Sequence, residues 1–580
     1  MHSLKNWRVF LFISILLLII TYLLSMAPYG YNTFTINNGN FSIEVSPINF
    51  TPIGNFFGLQ SIKIIIINNG YENLSSSISY ANHLLNLSLK PHSGTIQYIQ
   101  PKSSFNLLYI NITTLNYTKD ITIKINFNSP LLTLLSEITM LFSFYFYYLF
   151  LKFYNSNFKL TWLIILLGYL ILAPFFGQRY DMYFVLTSPL RIIKHINPFI
   201  GNEMMPGGLK WAYPPLFLIY GILFYTVLHY FGLNFDPSFT YLVTSGYEYS
   251  AWRGFYNPEL PLLFFLEKLP LIISTFIIYW LFLKKFNFQY SKIELEKFWL
   301  LNPLIILIGT VWGQFDMLSL LSMILSIYFF LNNRTDLASI FATIGAFIKI
   351  FPVILIPYII LNSQRKIRDI SYVILFSVIS LIPYFIAGNF YMDLEVLIYS
   401  RSVPTVNGYF FANGMTWQIL PLYLGIKNFP GIFPYILIPI YLTLLIMSKR
   451  VKISIIEFSL IFIISFFIFY DFVNPQYFII PVALFILMRN KPYLILYSLI
   501  PILYVFLNYS FPYFVNYYYS YNYFSSTLGL GESFRLFFTN SAITLGTYVV
   551  ICTIIYIMTL LAIIRDILSR NKSPDSILAS

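Results

Sequence analysis

The sequence predicts a polytopic α-helical membrane protein of about 14 spans, with an N-terminal extracytoplasmic domain resembling a β-sandwich. Three observations predict it. The chain is 58% hydrophobic and only 10% charged, where a soluble protein carries about 25% charged residues. Apolar runs close to the bilayer length of ~20 residues recur along most of it. Between the first run and the rest, residues 29–130 alternate apolar and polar side chains between Asn-, Gly- and Pro-rich turns, which is a strand pattern.

The N-terminus carries Lys5 and Arg8 before the apolar run 9–24. The run is long and no clear small-x-small cleavage site follows, so residues 1–28 read as a retained anchor with the N-terminus inside. The next domain, residues 29–130, contains Phe41-Ser-Ile-Glu-Val45, Ser61-Ile-Lys-Ile-Ile65 and Ile121-Thr-Ile-Lys-Ile-Asn-Phe127. It also holds six Asn-x-Ser/Thr sequons, at Asn40, Asn49, Asn73, Asn86, Asn111 and Asn116, which fit an exterior location. It shows no catalytic constellation and is read as an accessory domain. Residues 131–580 form the multi-span domain. Its apolar runs are 131–152, 160–176, 213–231, 262–283, 299–315, 317–331, 337–348, 350–361, 370–387, 432–447, 453–470, 477–488, 492–507 and 542–564.

Charge decides which runs span. If 213–231 lies along the surface or re-enters and the others cross, 20 of the 35 Lys and Arg residues fall in cytoplasmic loops. If it crosses, the Lys284-Lys285, Arg365–Arg368, Lys449–Lys452 and Arg489–Lys491 clusters all move outside. The positive-inside rule selects the first topology, with both termini cytoplasmic and 337–361 broken at Lys349-Ile-Phe-Pro352. The net charge of +13 is absorbed by this pattern, and no nucleic-acid partner is expected. Cys552 is the single cysteine and lies in an apolar run, so an intrachain disulfide and a cysteine zinc cluster are excluded. The five histidines are not paired at metal-ligand spacing.

In this topology Asp181, Asp316, Lys349, Arg401, Asp471 and Gln476 share the exterior face, which points to one polar site. Asp181 stands about one helical turn past the run 160–176, with Arg179, Arg191, Lys194 and Lys210 nearby; the alternative is a solvated loop. Asp316 ends Trp312-Gly-Gln-Phe-Asp316 and reads equally as a helix cap, and Trp312 as an interfacial anchor. Lys349, in the long apolar stretch, would cost about 2.5–3.5 kcal/mol at mid-membrane. It is either a snorkelling lysine or a phosphate partner at headgroup depth. Arg401 lies in the loop 389–417, and Asp471-Phe-Val-Asn-Pro-Gln-Tyr477 is a polar break whose default reading is capping.

Together these residues resemble the GT-C superfamily of membrane glycosyltransferases, and within it the polyprenol-phosphate-mannose-dependent mannosyltransferases of the GPI mannosyltransferase type. The resemblance rests on Arg179-Tyr-Asp181, Asn197-Pro-Phe199, Tyr213-Pro-Pro-Leu216, Leu301-Asn-Pro303, Trp312-Gly-Gln-Phe-Asp316 and Lys349-Ile-Phe-Pro352, in the family's order over 162–357, with Asn474-Pro-Gln-Tyr477 less specific. It implies a GT-C-like core that transfers a hexose, mannose foremost, from a polyprenyl-phosphate donor to a hydroxyl of a glycan, lipid or protein acceptor. The site would face outward from a plasma or endoplasmic-reticulum-type membrane. It implies Asp181 as the base, and the 213–231 helix as juxtamembrane. With it, Asp316 joins Asp181 as a catalytic candidate. Lys349 and Arg401 are candidates for the donor phosphate, and Arg179, Tyr213, Gln314 and Gln476 for the rest of the substrate. No cofactor is assigned. Asp181 stands alone rather than in an Asp-x-Asp pair, which leaves a divalent metal open. Two other classes compete. A transporter or flippase of an anionic or lipid-linked substrate would gather polar groups near the midplane, with inverted repeats. A non-enzymatic envelope protein would account for the β-domain but not for Lys349.

Overall fold

A computed structural model of the chain describes residues 7–26, 34–37, 41–48, 61–80, 83–99, 107–114, 117–124, 130–155, 161–174, 176–177, 185, 188–189, 192–193, 213–230, 260–286, 290–386, 405–406, 409–410, 413–420, 433–451, 453–508 and 543–572. Everything below concerns these residues. The chain divides into two compact units, the first built around residues 1–155 and the second around 156–505 and 542–580.

In the first unit, α1 (Trp7–Met26) packs along α2 (Pro130–Phe153). Ser14 and Ser143 face each other inside this pair, each hydroxyl donating to the other's carbonyl. Between the two helices in sequence come eight strands in two four-stranded antiparallel sheets, ordered β1-β2-β3-β6 and β5-β4-β7-β8. The alternation foreseen at 41–45 is realised in β2 (Phe41–Ile48), where Phe41 and Ile43 are buried while Ser42 and Glu44 are partly exposed. In β3 (Ser61–Asn68) the run Ile64-Ile65-Ile66 is buried throughout. The strand is covered on both faces, as its unbroken apolar run requires. Asn68, the last residue of β3, donates from Nδ2 to the carbonyls of Glu72, Leu89 and Lys90.

The second unit is helical: α3 (Thr161–Leu172), α4 (Leu216–Tyr230), α5 (Leu260–Lys284), α6 (Lys292–Leu300), α7 (Pro303–Trp312), α8 (Asp316–Leu331), α9 (Thr335–Ile348), α10 (Leu355–Asn362), α11 (Lys366–Ser380), α12 (Leu437–Arg450), α13 (Ile455–Phe469), α14 (Ile479–Leu487) and α16 (Ile543–Lys572), with α15 (Lys491–Asn508) continuing past its boundary. Among the described residues, four helices are long and apolar enough to cross a membrane, within 264–284, 366–386, 433–450 and 548–570. A bent pair, α6 and α7, raises the number to five. The molecule is thus a helical protein of membrane type. α4 is one of the shorter apolar helices.

The apolar run 299–315 is not one straight span. α6 and α7 meet at 50°, because Asn302 leaves helical geometry and caps α7, accepting from the Leu304 N–H at 3.0 Å, with Pro303 in the first turn. Two capping boxes, Ser291–Glu294 and Ser454–Glu457, start α6 and α13. Ion pairs join Glu294 to Lys491 at 2.6 Å and Glu457 to Arg570. Lys491 and Arg570 both come from loops that the charge pattern assigns to the cytoplasmic side. The break expected at Lys349–Pro352 is present: α9 ends at Ile348, a 3-10 turn occupies Phe351–Ile354, and α10 follows.

Candidate active site

α7 ends in a π-helical turn, Leu307–Trp312, closed by Gly313 at φ 82°. That left-handed conformation suits glycine, and the wide turn re-aims the next residues, a common role of π-bulges. Gln314, Phe315 and Asp316 follow, and Asp316 opens α8. The cap reading of Asp316 does not hold: the cap position is Phe315 and no side chain caps the helix there. Asp316 is instead ion-paired with the Lys349 ammonium, which is 4% exposed against 3% for Asp316. Ser319, one turn along α8, donates to the carbonyls of Gly345 and Lys349 at 3.2 and 3.1 Å. α8 therefore grips Lys349 by both side chain and backbone. Gly345 permits this approach, since a Cβ there would lie 2.8 Å from Pro352 Cγ and from Ser322 Cβ.

Lys349 is not a snorkelling lysine. Its ammonium faces the rings of Tyr213 at 5.3 Å, Phe315 at 5.2 Å and Tyr477 at 5.1 Å, each within cation–π range. Phe315 in turn stacks on Phe217 at 4.6 Å and meets Tyr213 edge-on at 5.0 Å. Tyr213-Pro-Pro-Leu216, Gln314-Phe-Asp316, Lys349-Ile-Phe-Pro352 and Asn474-Pro-Gln-Tyr477 thus meet around one cation, although 264 residues separate the first tyrosine from the last. Gln314 is fully buried, and neither atom of its amide has a partner among the described residues. Trp312 is 2% exposed, which corrects the interfacial-anchor reading.

The polar break after α13 lies beside a short parallel pairing of Asn413–Gly414 with Phe472–Val473. Asp471 does not cap a helix. It is fully buried, neither carboxylate oxygen has a partner among the described residues, and burial pushes its carboxyl up to about 7. Gln476 is buried in the 3-10 turn that also presents Tyr477. Asp181, Arg179 and Arg401 lie outside the described residues, as do Arg191, Lys194, Lys210 and Asn197–Phe199.

Sequence reasoning missed two charged residues, Glu267 and Lys268, both buried within α5. Lys268 donates to the carbonyls of Ala173, at 3.0 Å, and Phe176, at the end of α3, where helix carbonyls lack internal partners and favour a cation. Glu267 has no partner for either carboxylate oxygen among the described residues. An adjacent Glu-Lys pair inside an apolar run was a visible signal, because intramembrane charges are expensive. No group of three or more His, Cys, Asp or Glu side chains among the described residues could hold a metal ion. Neither a protein-family model nor a curated protein matches this chain. Fold and geometry together define a helical, membrane-type protein with a buried, aromatic-walled Lys–Asp pair where four distant motifs converge.

Proposed function

We propose that the protein is a membrane glycosyltransferase of the GT-C kind, moving a hexose from a polyprenyl-phosphate donor to an acceptor hydroxyl. The observation that carries the reading is the convergence of Tyr213, Phe315, Asp316 and Tyr477 on Lys349. These belong to the motifs on which the family resemblance rests. The acceptor oxygen attacks the anomeric carbon, the bond from that carbon to the phosphate oxygen breaks, and the configuration inverts. The leaving group departs as a phosphate monoester, already anionic, so it needs a cation rather than an acid. Lys349 supplies that cation. Arg401 is the second candidate. Asp181 takes the acceptor proton, a contribution of about 10²–10⁴-fold for a general base. Asp316 holds Lys349 in place.

The test is a transfer assay with purified protein, a panel of polyprenyl-phosphate hexoses and mixed glycan and lipid acceptors. Release of polyprenyl phosphate with matching glycoside formation is expected from one donor, mannose first. No turnover with any donor, in protein that still unfolds cooperatively, would sink the reading.

A further inference from the structure

Beside the Lys349 cluster lies a set of buried acceptor oxygens with no donors. The segment Met415–Gln418 runs against the end of α13. The Met415 N–H donates to the Val473 carbonyl at 2.8 Å and Thr416 Oγ1 to that of Tyr470 at 2.9 Å. Trp417 Nε1 donates to the Ile468 carbonyl at 2.8 Å and Gln418 Nε2 to that of Phe469 at 2.7 Å. The side chains of Thr416, Trp417 and Gln418 thus each donate to backbone. What is left is Gln418 Oε1, both oxygens of Asp471, and Gln476 Oε1, all without a donor among the described residues. Asp471 and Gln418 are fully buried and Gln476 is 3% exposed.

A buried polar atom left unsatisfied costs about 1–3 kcal/mol, so four together call for a ligand that brings donors. A phosphodiester brings none. Hydroxyl groups bring one each. We propose that Asp471, Gln418 and Gln476 form a subsite for the hydroxyls of a hexose, adjoining the Lys349 site through Tyr477. The hexose is either the one carried by the donor or one in the acceptor; both offer the same hydroxyl chemistry. The identity of the reaction rests on the transferase reading, but hexose binding does not.

The experiment measures binding of methyl α-mannoside and methyl α-glucoside to the full-length protein in detergent by saturation-transfer NMR. Steady-state KM values for a polyprenyl-phosphate hexose and for an acceptor are measured alongside. Asp471→Asn keeps the shape and Gln418→Met keeps the length, so one should fold if the other does not. The subsite predicts hexoside binding by the wild type, weakened tenfold or more in either variant, with competition by inorganic phosphate unchanged. A rise confined to the acceptor KM places the acceptor sugar there, and a rise confined to the donor KM places the donor hexose there. Hexoside binding without transfer from any donor supports the subsite and removes the transferase reading. Transfer with both KM values unchanged in Asp471→Asn, or equal hexoside binding by wild type and variants, overturns the subsite. Absence of hexoside binding in an otherwise active wild type does the same.

Discussion

Replacing Lys349 by Met, alone and together with Asp316→Asn, tests the pair at the centre of the cluster. Lys349→Met leaves a carboxylate 3% exposed with its cation gone. Removing one partner of a buried ion pair costs about 3–5 kcal/mol, and the ring contacts of the ammonium go with it. Asp316→Asn alone should cost less, because three rings still face the ammonium, each worth about 0.5–2 kcal/mol. In the double variant no charge is stranded. Stability should return to within about 1–2 kcal/mol of wild type, a coupling of about 2 kcal/mol or more. Thermal unfolding in detergent should show Lys349→Met lowered by roughly 5–10 °C, at about 2 °C per kcal/mol for a chain of this size, with most of the loss recovered in the double variant. Transfer should fail in both, because the phosphate loses its cation either way. Strictly additive stability losses, with coupling below about 0.5 kcal/mol, would refute the pair as an energetic unit. Retained donor affinity in the double variant would refute Lys349 as the phosphate partner.

Four further outcomes are expected. Gly345→Ala should destabilise by about 1–3 kcal/mol through overpacking, because its Cβ would strike Pro352 and Ser322; thermal unfolding and transfer should both fall. Gly414→Ala should detach the Met415–Gln418 segment, since the backbone sits at φ +86° and a Cβ would lie 2.1 Å from the Val473 carbonyl oxygen; limited proteolysis reports this. Burial holds Asp471 at about 7 against an ordinary value of 3.8, so the folded chain keeps a proton that the unfolded chain releases. Stability should therefore fall as pH rises from about 4 to about 7, by at most about 4 kcal/mol, and level off above that. Asp471→Asn should flatten the slope in thermal unfolding across that range. For topology, cysteines at Lys285 and Arg450 should be shielded from a membrane-impermeant thiol reagent in intact cells and one at Thr405 labelled; labelling at Lys285 would make α4 a crossing helix.

The helical, membrane-type character was legible because composition and run length are direct consequences of an apolar solvent. So was the break at Lys349–Pro352, where a lysine and a proline interrupt an otherwise apolar helix. The helix bend at Leu301-Asn302 was hidden in a mostly apolar run, where only the Asn-Pro capping pair marks the break. Lys349 and Asp316 were each named, yet their pairing was not, because local reasoning offers a carboxylate at a helix start a cap and offers a lone lysine the interface. Both alternatives vanish once the two helix ends meet. Asp471 was legible only as a polar break, and Gln418 carries no local signal at all. Their significance lies in donors consumed by a segment more than fifty residues away, which is tertiary information.

The central claim is sugar transfer with Asp181 as the base and Asp316 only a support for Lys349. Transfer measured side by side for wild type, Asp181→Asn and Asp316→Asn tests it most directly. Asp181→Asn keeps the shape of the side chain and removes its basic character. The account predicts a loss of about 10²-fold or more for Asp181→Asn, in protein that folds and inserts normally, and a smaller loss for Asp316→Asn. Near-wild-type transfer by Asp181→Asn, with Asp316→Asn inactive, would contradict it and pass the role of base to Asp316.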